Sequence, residues 1–349
     1  MSDEQTARES EQLPVEALAE YLRDRIEGAS SGITVQQFPS GHSNLTYQIS
    51  FANGHQFVLR RGPLGPVAPK AHDMSREFRV LKAVHQHFHE APRPFLLCED
   101  TSVIGAVFFV MEHRSGIILR NQVPAVFSDI PDHAARVSEA FVDCMVRLHA
   151  VPVAHADLSA LGKTEGFLAR QVQGWTERWT RASTDGVPEM DHVAEWLLRA
   201  MPTSPAPTLV HNDYKLDNIV LSSVDTVEAV LDWEMATVGD PLVDLGLTLC
   251  YWSWLNKAEA TGRTVGAITA NPGWFSRDQC IARYAERTGR DLSSLFYYEV
   301  LGIFKLAVIL QQIYFRFRHG QTQDSRFANF DRQVKALARL GVTVLERQG

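Results

Sequence analysis

The apolar positions of this chain change period near Met111 to Arg114, and that change predicts two differently built regions. Before it, Pro14 opens a helix in which Val15, Leu18, Ala19, Leu22 and Ile26 fall on one face. Ile33 to Phe38 and Leu45 to Phe51 then alternate apolar and polar, the period of a half-buried strand. Asn53-Gly54, between Phe51 and Phe57, is a two-residue hairpin signal. A helix from about Asp73 to Phe88 and strands near Phe95 to Cys98 and Val103 to Met111 complete a small antiparallel sheet region. Beyond it helical periods dominate. Val137, Phe141, Cys144, Met145 and Leu148 form one stripe, and Phe167 to Trp179, Pro241 to Leu255, Phe275 to Arg287 and Ser294 to Arg318 also read as helical. The pattern predicts an α+β chain, strand-rich over residues 1–112 and mainly helical over 113–349, which fits a two-lobed fold with a nucleotide cleft between lobes.

Composition narrows the class. At 349 residues and 45% hydrophobic, the chain can bury a sizeable core. Its longest uncharged apolar run, Val103 to Met111, is too short for a bilayer, and the run around Ile303 is broken by Lys305, so no membrane span is expected. Met1 to Gln12 is polar and acidic rather than a secretory signal, which places the expected location in the cytoplasm. Cys98, Cys144, Cys250 and Cys280 lie far apart without a C-x-x-C pair, against zinc and against a disulfide framework. A net charge of −7 with no basic stripe argues against nucleic acid. The charge is uneven, however. From Leu245 to Gly349 there are 14 Lys and Arg against 8 Asp and Glu, a local +6 that leaves −13 on the remainder and would favour an anionic partner over a polycation.

The chemistry is concentrated between Leu209 and Leu247, LVHNDYKLDNIVLSSVDTVEAVLDWEMATVGDPLVDLGL. His211, Asp213, Lys215 and Asn218 share one short loop, and Asp232 ends an apolar run further on. Phosphoryl transfer needs a carboxylate to orient the attacking hydroxyl, oxygen ligands for magnesium and a cation on the transferred group. Asp213 supplies the first, Asn218 and Asp232 the second, and Lys215 the third, with a solvated surface lysine as the competing reading of Lys215. Glu234, two residues beyond Asp232, either ligates a second metal or faces solvent. His211 reads as structural, and Asp240 and Asp244 as a helix cap and a brace for the loop.

The order H-x-D-x-x-x-x-N followed by an Asp-centred loop is that of protein kinases, but the second loop reads Asp232-Trp233-Glu234 and no Ala-Pro-Glu follows. These departures resemble the aminoglycoside phosphotransferase and choline kinase group. Gly41-His42-Ser43-Asn44-Leu45-Thr46-Tyr47, Phe57-Val58-Leu59-Arg60-Arg61-Gly62-Pro63, Ala71-His72, Arg76-Glu77-Phe78 and Gly239-Asp240-Pro241 are most similar to the phosphotransferase domain that some proteins carry fused to an acyl-CoA dehydrogenase. The resemblance covers about Gln37 to Gly320 and implies a bilobal protein-kinase-like fold that uses ATP and Mg²⁺ to phosphorylate a small-molecule hydroxyl.

The resemblance also assigns the amino-terminal residues. Arg60 takes the place of the strand lysine that holds the α and β phosphates, with Glu77 as its helix partner; Arg61 should face the other side of the strand. Ser43 and Asn44 are expected over the phosphates, and Met111 to His113 at the adenine edge. The acceptor it implies is a hydroxy acid or hydroxyacyl-CoA, whose phosphates and acyl tail would suit basic and aromatic walls such as Arg170, Trp175, Tyr251, Trp252 and Trp254. An antibiotic- or choline-type kinase, or a nucleotide-binding module without catalysis, are the alternatives. Oligomeric state leaves no mark on the sequence.

Overall fold

The computed structural model describes residues 12–38, 44–62, 73–254, 267–322 and 325–346. The expected Ser43 with the rest of residues 39–43, together with Pro63 and Ala71-His72, lie outside them. The described chain divides into two compact units. One comprises residues up to Gly116 together with Glu228–Met235; the other comprises Ile117–Val227 and the chain from Ala236 on.

In the first unit, β1 (Ile33–Gln37), β2 (Leu45–Phe51), β3 (Gln56–Arg61), β4 (Pro94–Cys98) and β5 (Phe108–Glu112) form an antiparallel sheet in the order β1-β2-β3-β5-β4. Alternation along the strands sorts the two faces. Tyr47, Ile49, Leu59, Phe108 and Val110 join Leu18 and Leu22 of α1 (Val15–Leu22) in one core. The intervening positions face α2 (Met74–Val84), where Phe109 meets Phe78 edge-on. Asp73 caps α2 by accepting from the Arg76 N–H.

Two expectations need correction here. The fifth strand starts at Phe108, not Val103, because Asp100 turns the chain by accepting from Ser102 and because Gly105 adopts φ 81°, which an extended strand cannot accommodate. The helix expected to reach Phe88 ends at Val84, and a further turn carries Phe88 under Trp233.

The second unit is helical: α3 (His133–His149), α4 (Phe167–Ala182), α5 (Pro188–Arg199), α6 (Pro241–Leu249), α7 (Arg277–Thr288), α8 (Leu295–Arg318) and α9 (Phe330–Glu346), with short one-turn pieces between. α5 and α9 were not foreseen. Of its strands, β6 (Thr208–Val210) is joined antiparallel to β9 (Thr237–Gly239), with β7 (Ile219–Ser223) between them in sequence; β8 (Thr226–Val230) begins in this unit, and its residues from Glu228 on belong to the first. α8 is long and apolar enough by composition to cross a membrane, yet most of it is buried against α4, α5, α6 and α9. Of its buried charges, Glu299 accepts from Nε and Nη2 of Arg277, and Lys305 is discussed below. All four cysteines are buried and free.

α6 and α8 cross closely because both offer a glycine. A Cβ on Gly246 would lie 2.4 Å from the Tyr298 carbonyl oxygen, and one on Gly302 2.9 Å from the Gly246 carbonyl oxygen. Gly246→Ala is therefore expected to lower unfolding stability by about 1–3 kcal/mol, since backbone cannot yield as a side chain can. A denaturant midpoint equal to that of the wild type would show that the crossing has slack.

Candidate active site

In the first unit the site is an acidic cluster gathered by one arginine. Arg60 lies on β3, opposite Thr46 and Phe109, with its side chain on the α2 face. Its Nη1 donates to Glu77 Oε1 at 2.8 Å and its Nη2 to Asp232 Oδ1 at 3.0 Å. Arg61, one residue on, points into the opposite core, where it donates to Tyr47 Oη at 3.0 Å and to the Ile104 carbonyl. Period-two alternation alone decides which of the two cations meets the acids.

Asp232 is held in the left-handed region at φ 69°, a costly conformation for a residue with a Cβ and one that concentrates at functional sites. Glu234 accepts from Asn44 Nδ2 at 3.2 Å, and its backbone carbonyl accepts from Arg76. Glu77, Asp232 and Glu234 each bring a carboxylate oxygen to within 4.8 Å of the others. Burial, then the crowding by Asp232 and Glu234, push Glu77 above the usual carboxylate range, against the pull of Arg60. Three hard oxygen donors with one cation to balance them are the set that a small divalent ion such as Mg²⁺ relieves.

The expected adenine edge is partly committed elsewhere. Met111 sits in the sheet between Val58 and Pro94, and the Glu112 N–H donates to the Arg93 carbonyl. His113 is the first residue beyond the ladder; it is partly buried, and that burial lowers its pKa.

The second unit carries the loop His211–Asn218, launched from β6. Asn212 is again left-handed, at φ 63°. The buried Asp244 of α6 accepts from the N–H groups of His211 and Asn212, so the turn is held by one carboxylate. Burial alone would raise Asp244; hydrogen bonding and the charge of His149, with His211, outweigh it and keep the group below its ordinary range. His149 in turn meets Tyr284 Oη at 2.8 Å. The ring of His211 accepts the Asp213 N–H at Nδ1, a positioning role. Asp240 caps α6 through Leu242 N–H and accepts from Tyr298 Oη at 2.6 Å.

Asp213 is fixed by three donors. Its Oδ2 accepts from Lys215 Nζ at 2.7 Å and Asn218 Nδ2 at 3.0 Å, and its Oδ1 from Tyr251 Oη at 3.2 Å. Because Asn218 spends its amide nitrogen on Asp213, its amide oxygen is the atom it offers to a cation. Lys215 is about one-fifth exposed and paired with Asp213, its ammonium also 5.1 Å from the Tyr251 ring centroid. Tyr251 lies on one turn of π-helix, Cys250–Trp254, that continues α6; such widened turns recur at functional sites. Burial and the adjoining Asp213 charge raise its pKa, so it remains a donor. A crevice beside the loop is lined by Arg120, Phe141, Lys215, Tyr251, Trp252 and Ile268, among others.

The sequence offered Tyr251 only as one aromatic wall for the acceptor, and nothing local marks its contact with a residue 38 positions earlier. The π turn is the structural reason, since it rotates the helix face that a regular α-helix to Leu255 would have presented.

Residues 34–280 match the sequence pattern described as the phosphotransferase enzyme family. The chain belongs to that family. Among its relatives is acyl-CoA dehydrogenase family member 11 of Rattus norvegicus, 34% identical over 342 residues, which cover 95% of this chain and 43% of the relative. The chain thus spans less than half the length of that relative. A crystal structure from Ralstonia eutropha is similar over 96% of this chain and 99% of its own, with 28% identity and a TM-score of 0.80. Choline kinase of Cryptosporidium parvum shares the fold at 16% identity and TM-score 0.61, over 95% and 98% of the two chains. The chain is therefore a phosphotransferase on a kinase-like α+β fold, as the Asp213 loop and the Asp232 loop had suggested.

Proposed function

We propose that this phosphotransferase moves the γ-phosphoryl group of ATP to an alcohol on a small anionic molecule, with hydroxyacyl-CoAs and hydroxy fatty acids as the leading acceptors. The observation that carries the reading is the immobilised Asp213 carboxylate, whose donors fix it as an acceptor for a substrate O–H. The acceptor oxygen attacks the γ-phosphorus, its proton passes to Asp213, and the bond to the β-phosphate oxygen breaks to release ADP. Lys215, beside Asp213, balances charge on the transferred group. Arg60 would clamp phosphates while holding Glu77 and Asp232. Asp232 and Glu234, with Glu77 behind them, would hold Mg²⁺, and Asn218 would offer an amide oxygen to a further ion; the metal supplies charge neutralisation when bound.

Support for the acceptor class comes from three sides. The crevice beside the loop that carries Asp213 has aromatic walls and two cations, Arg120 and Lys215; the last third of the chain carries the local +6; and the relative above is named an acyl-CoA dehydrogenase family member. ADP release across hydroxyacyl-CoAs, free hydroxy acids, sugars, choline and aminoglycosides tests it. Turnover is expected with the anionic acceptors and to weaken when Arg120 is replaced by Ala. Turnover confined to cationic acceptors would put the enzyme with the antibiotic- or choline-type kinases instead.

A further inference from the structure

α8 is the longest described helix of the second unit, and it carries one lysine in the middle of its buried length. Lys305 is 3% exposed. Placing an ammonium there costs several kcal/mol unless its charge is used, so its partners matter. Its Nζ donates to the Asn212 carbonyl oxygen at 2.7 Å, reaching across 93 positions of sequence, and lies 5.3 Å from the centroid of the Trp175 ring. The Gly246–Gly302 crossing, one turn before Lys305, brings α8 against α6 and so behind the loop that Asp244 holds.

The bonded carbonyl is what gives the contact meaning. The Asn212 C=O and the Asp213 N–H belong to the same peptide plane, and that N–H donates to His211 Nδ1 at 3.3 Å. Asn212 is itself left-handed, and its own N–H is taken by Asp244. The peptide that carries Asp213 is thus gripped at its oxygen by Lys305 and at its nitrogen by His211. We infer that Lys305 is a positioning residue for phosphoryl transfer: its ammonium fixes the Asn212–Asp213 peptide and with it the direction of the Asp213 carboxylate.

The inference rests on Asp213 acting as the proposed base. The charged groups that act on Lys305 are Asp213 and Lys215 of the loop, Asp244 of α6 and Arg178 of α4. Burial lowers its pKa to about 8, with the two carboxylates opposing that fall and the two cations adding to it. The ammonium, the stronger donor, is therefore present below about pH 8 and lost as pH rises through it. With the wild-type enzyme, kcat should fall by about tenfold between pH 7 and pH 9, when roughly a tenth of the lysine remains charged.

Lys305→Met keeps the unbranched stem and removes a buried charge, at the cost of the hydrogen bond to the Asn212 carbonyl. It should fold, keep the KM for ATP within about twofold, lower kcat by about 10–100-fold at pH 7, and lack the alkaline limb near pH 8. Lys305→Arg should recover part of kcat and abolish the limb, because guanidinium stays charged. A Lys305→Met enzyme with wild-type kcat overturns the inference, as does a loss confined to KM or a wild-type kcat flat from pH 7 to 9.5, a result that needs no variant to fold. Asp213→Asn is assayed alongside. Full activity there overturns the base reading and this one together, whereas an inactive Asp213→Asn beside a fully active Lys305→Met overturns this one alone.

Discussion

Asp213→Asn is expected to lower kcat by about 10²–10⁴ while leaving the affinity for ATP within about twofold. The side chain keeps its shape but loses both the negative charge and the second acceptor oxygen. Three donors, Lys215 Nζ, Asn218 Nδ2 and Tyr251 Oη, converge on the native carboxylate, and an amide can satisfy only those that fall on its oxygen. Turned with its oxygen toward Lys215 and Asn218, the amide can donate to Tyr251 Oη, which then accepts, so the side chain stays held while the charge and the proton-accepting oxygen are gone. The acceptor alcohol then loses its proton acceptor and faces an NH₂ where a carboxylate oxygen had been. Nucleotide affinity is expected to hold because the Arg60 cluster belongs to the other compact unit and shares none of these bonds. Single-turnover measurement of ADP release, beside a calorimetric ATP titration, separates the two quantities. Near wild-type turnover with any accepted substrate would remove Asp213 from the mechanism.

What the sequence disclosed and what it withheld follow the range of the interactions. Period-two alternation along Leu45–Phe51 and Gln56–Arg61 was enough to separate Arg60 from Arg61, because strand geometry is local. The cap at Asp240 and the buried stripe of α3 were legible for the same reason. The early end of α6 as a regular helix was not, since nothing in Cys250–Trp254 announces a π turn. α9 carries Val334, Leu337, Ala338, Gly341 and Val344 at helical spacing, a stripe that the sequence reading, which stopped at Arg318, did not use.

The contacts that shape the site are longer still: Arg60 to Asp232 spans 172 positions and Lys305 to Asn212 spans 93. No window of sequence contains either. Lys305 did leave a trace, as a charge interrupting an apolar run. Its significance depended on which carbonyl the helix crossing would bring to it.

The metal-binding role proposed for the acids around Arg60 is tested most sharply by an opposite pair of effects. Asp232→Ala should abolish Mg²⁺-dependent ATP binding, yet leave the metal-free protein as stable as the wild type or slightly more so. The gain arises because Glu77, Asp232 and Glu234 repel one another within 4.8 Å, and removing one leaves Arg60 still paired with the buried Glu77. The loss arises because a metal and its phosphates need that carboxylate more than the fold does. In the wild type, Mg·ATP at a hundred times its Kd should add about 2.7 kcal/mol of stability; in the variant the increment should vanish. Arg60→Ala, by contrast, should damage both, since it strands a fully buried Glu77 beside two further acids, a cost of about 3–5 kcal/mol when a buried pair loses its cation. Thermal unfolding with and without Mg²⁺ and ATP reads all of these. If Asp232→Ala retains the wild-type increment and its dependence on Mg²⁺, the metal is held by other residues, and the cluster on Arg60 is an ion-pair network of the fold.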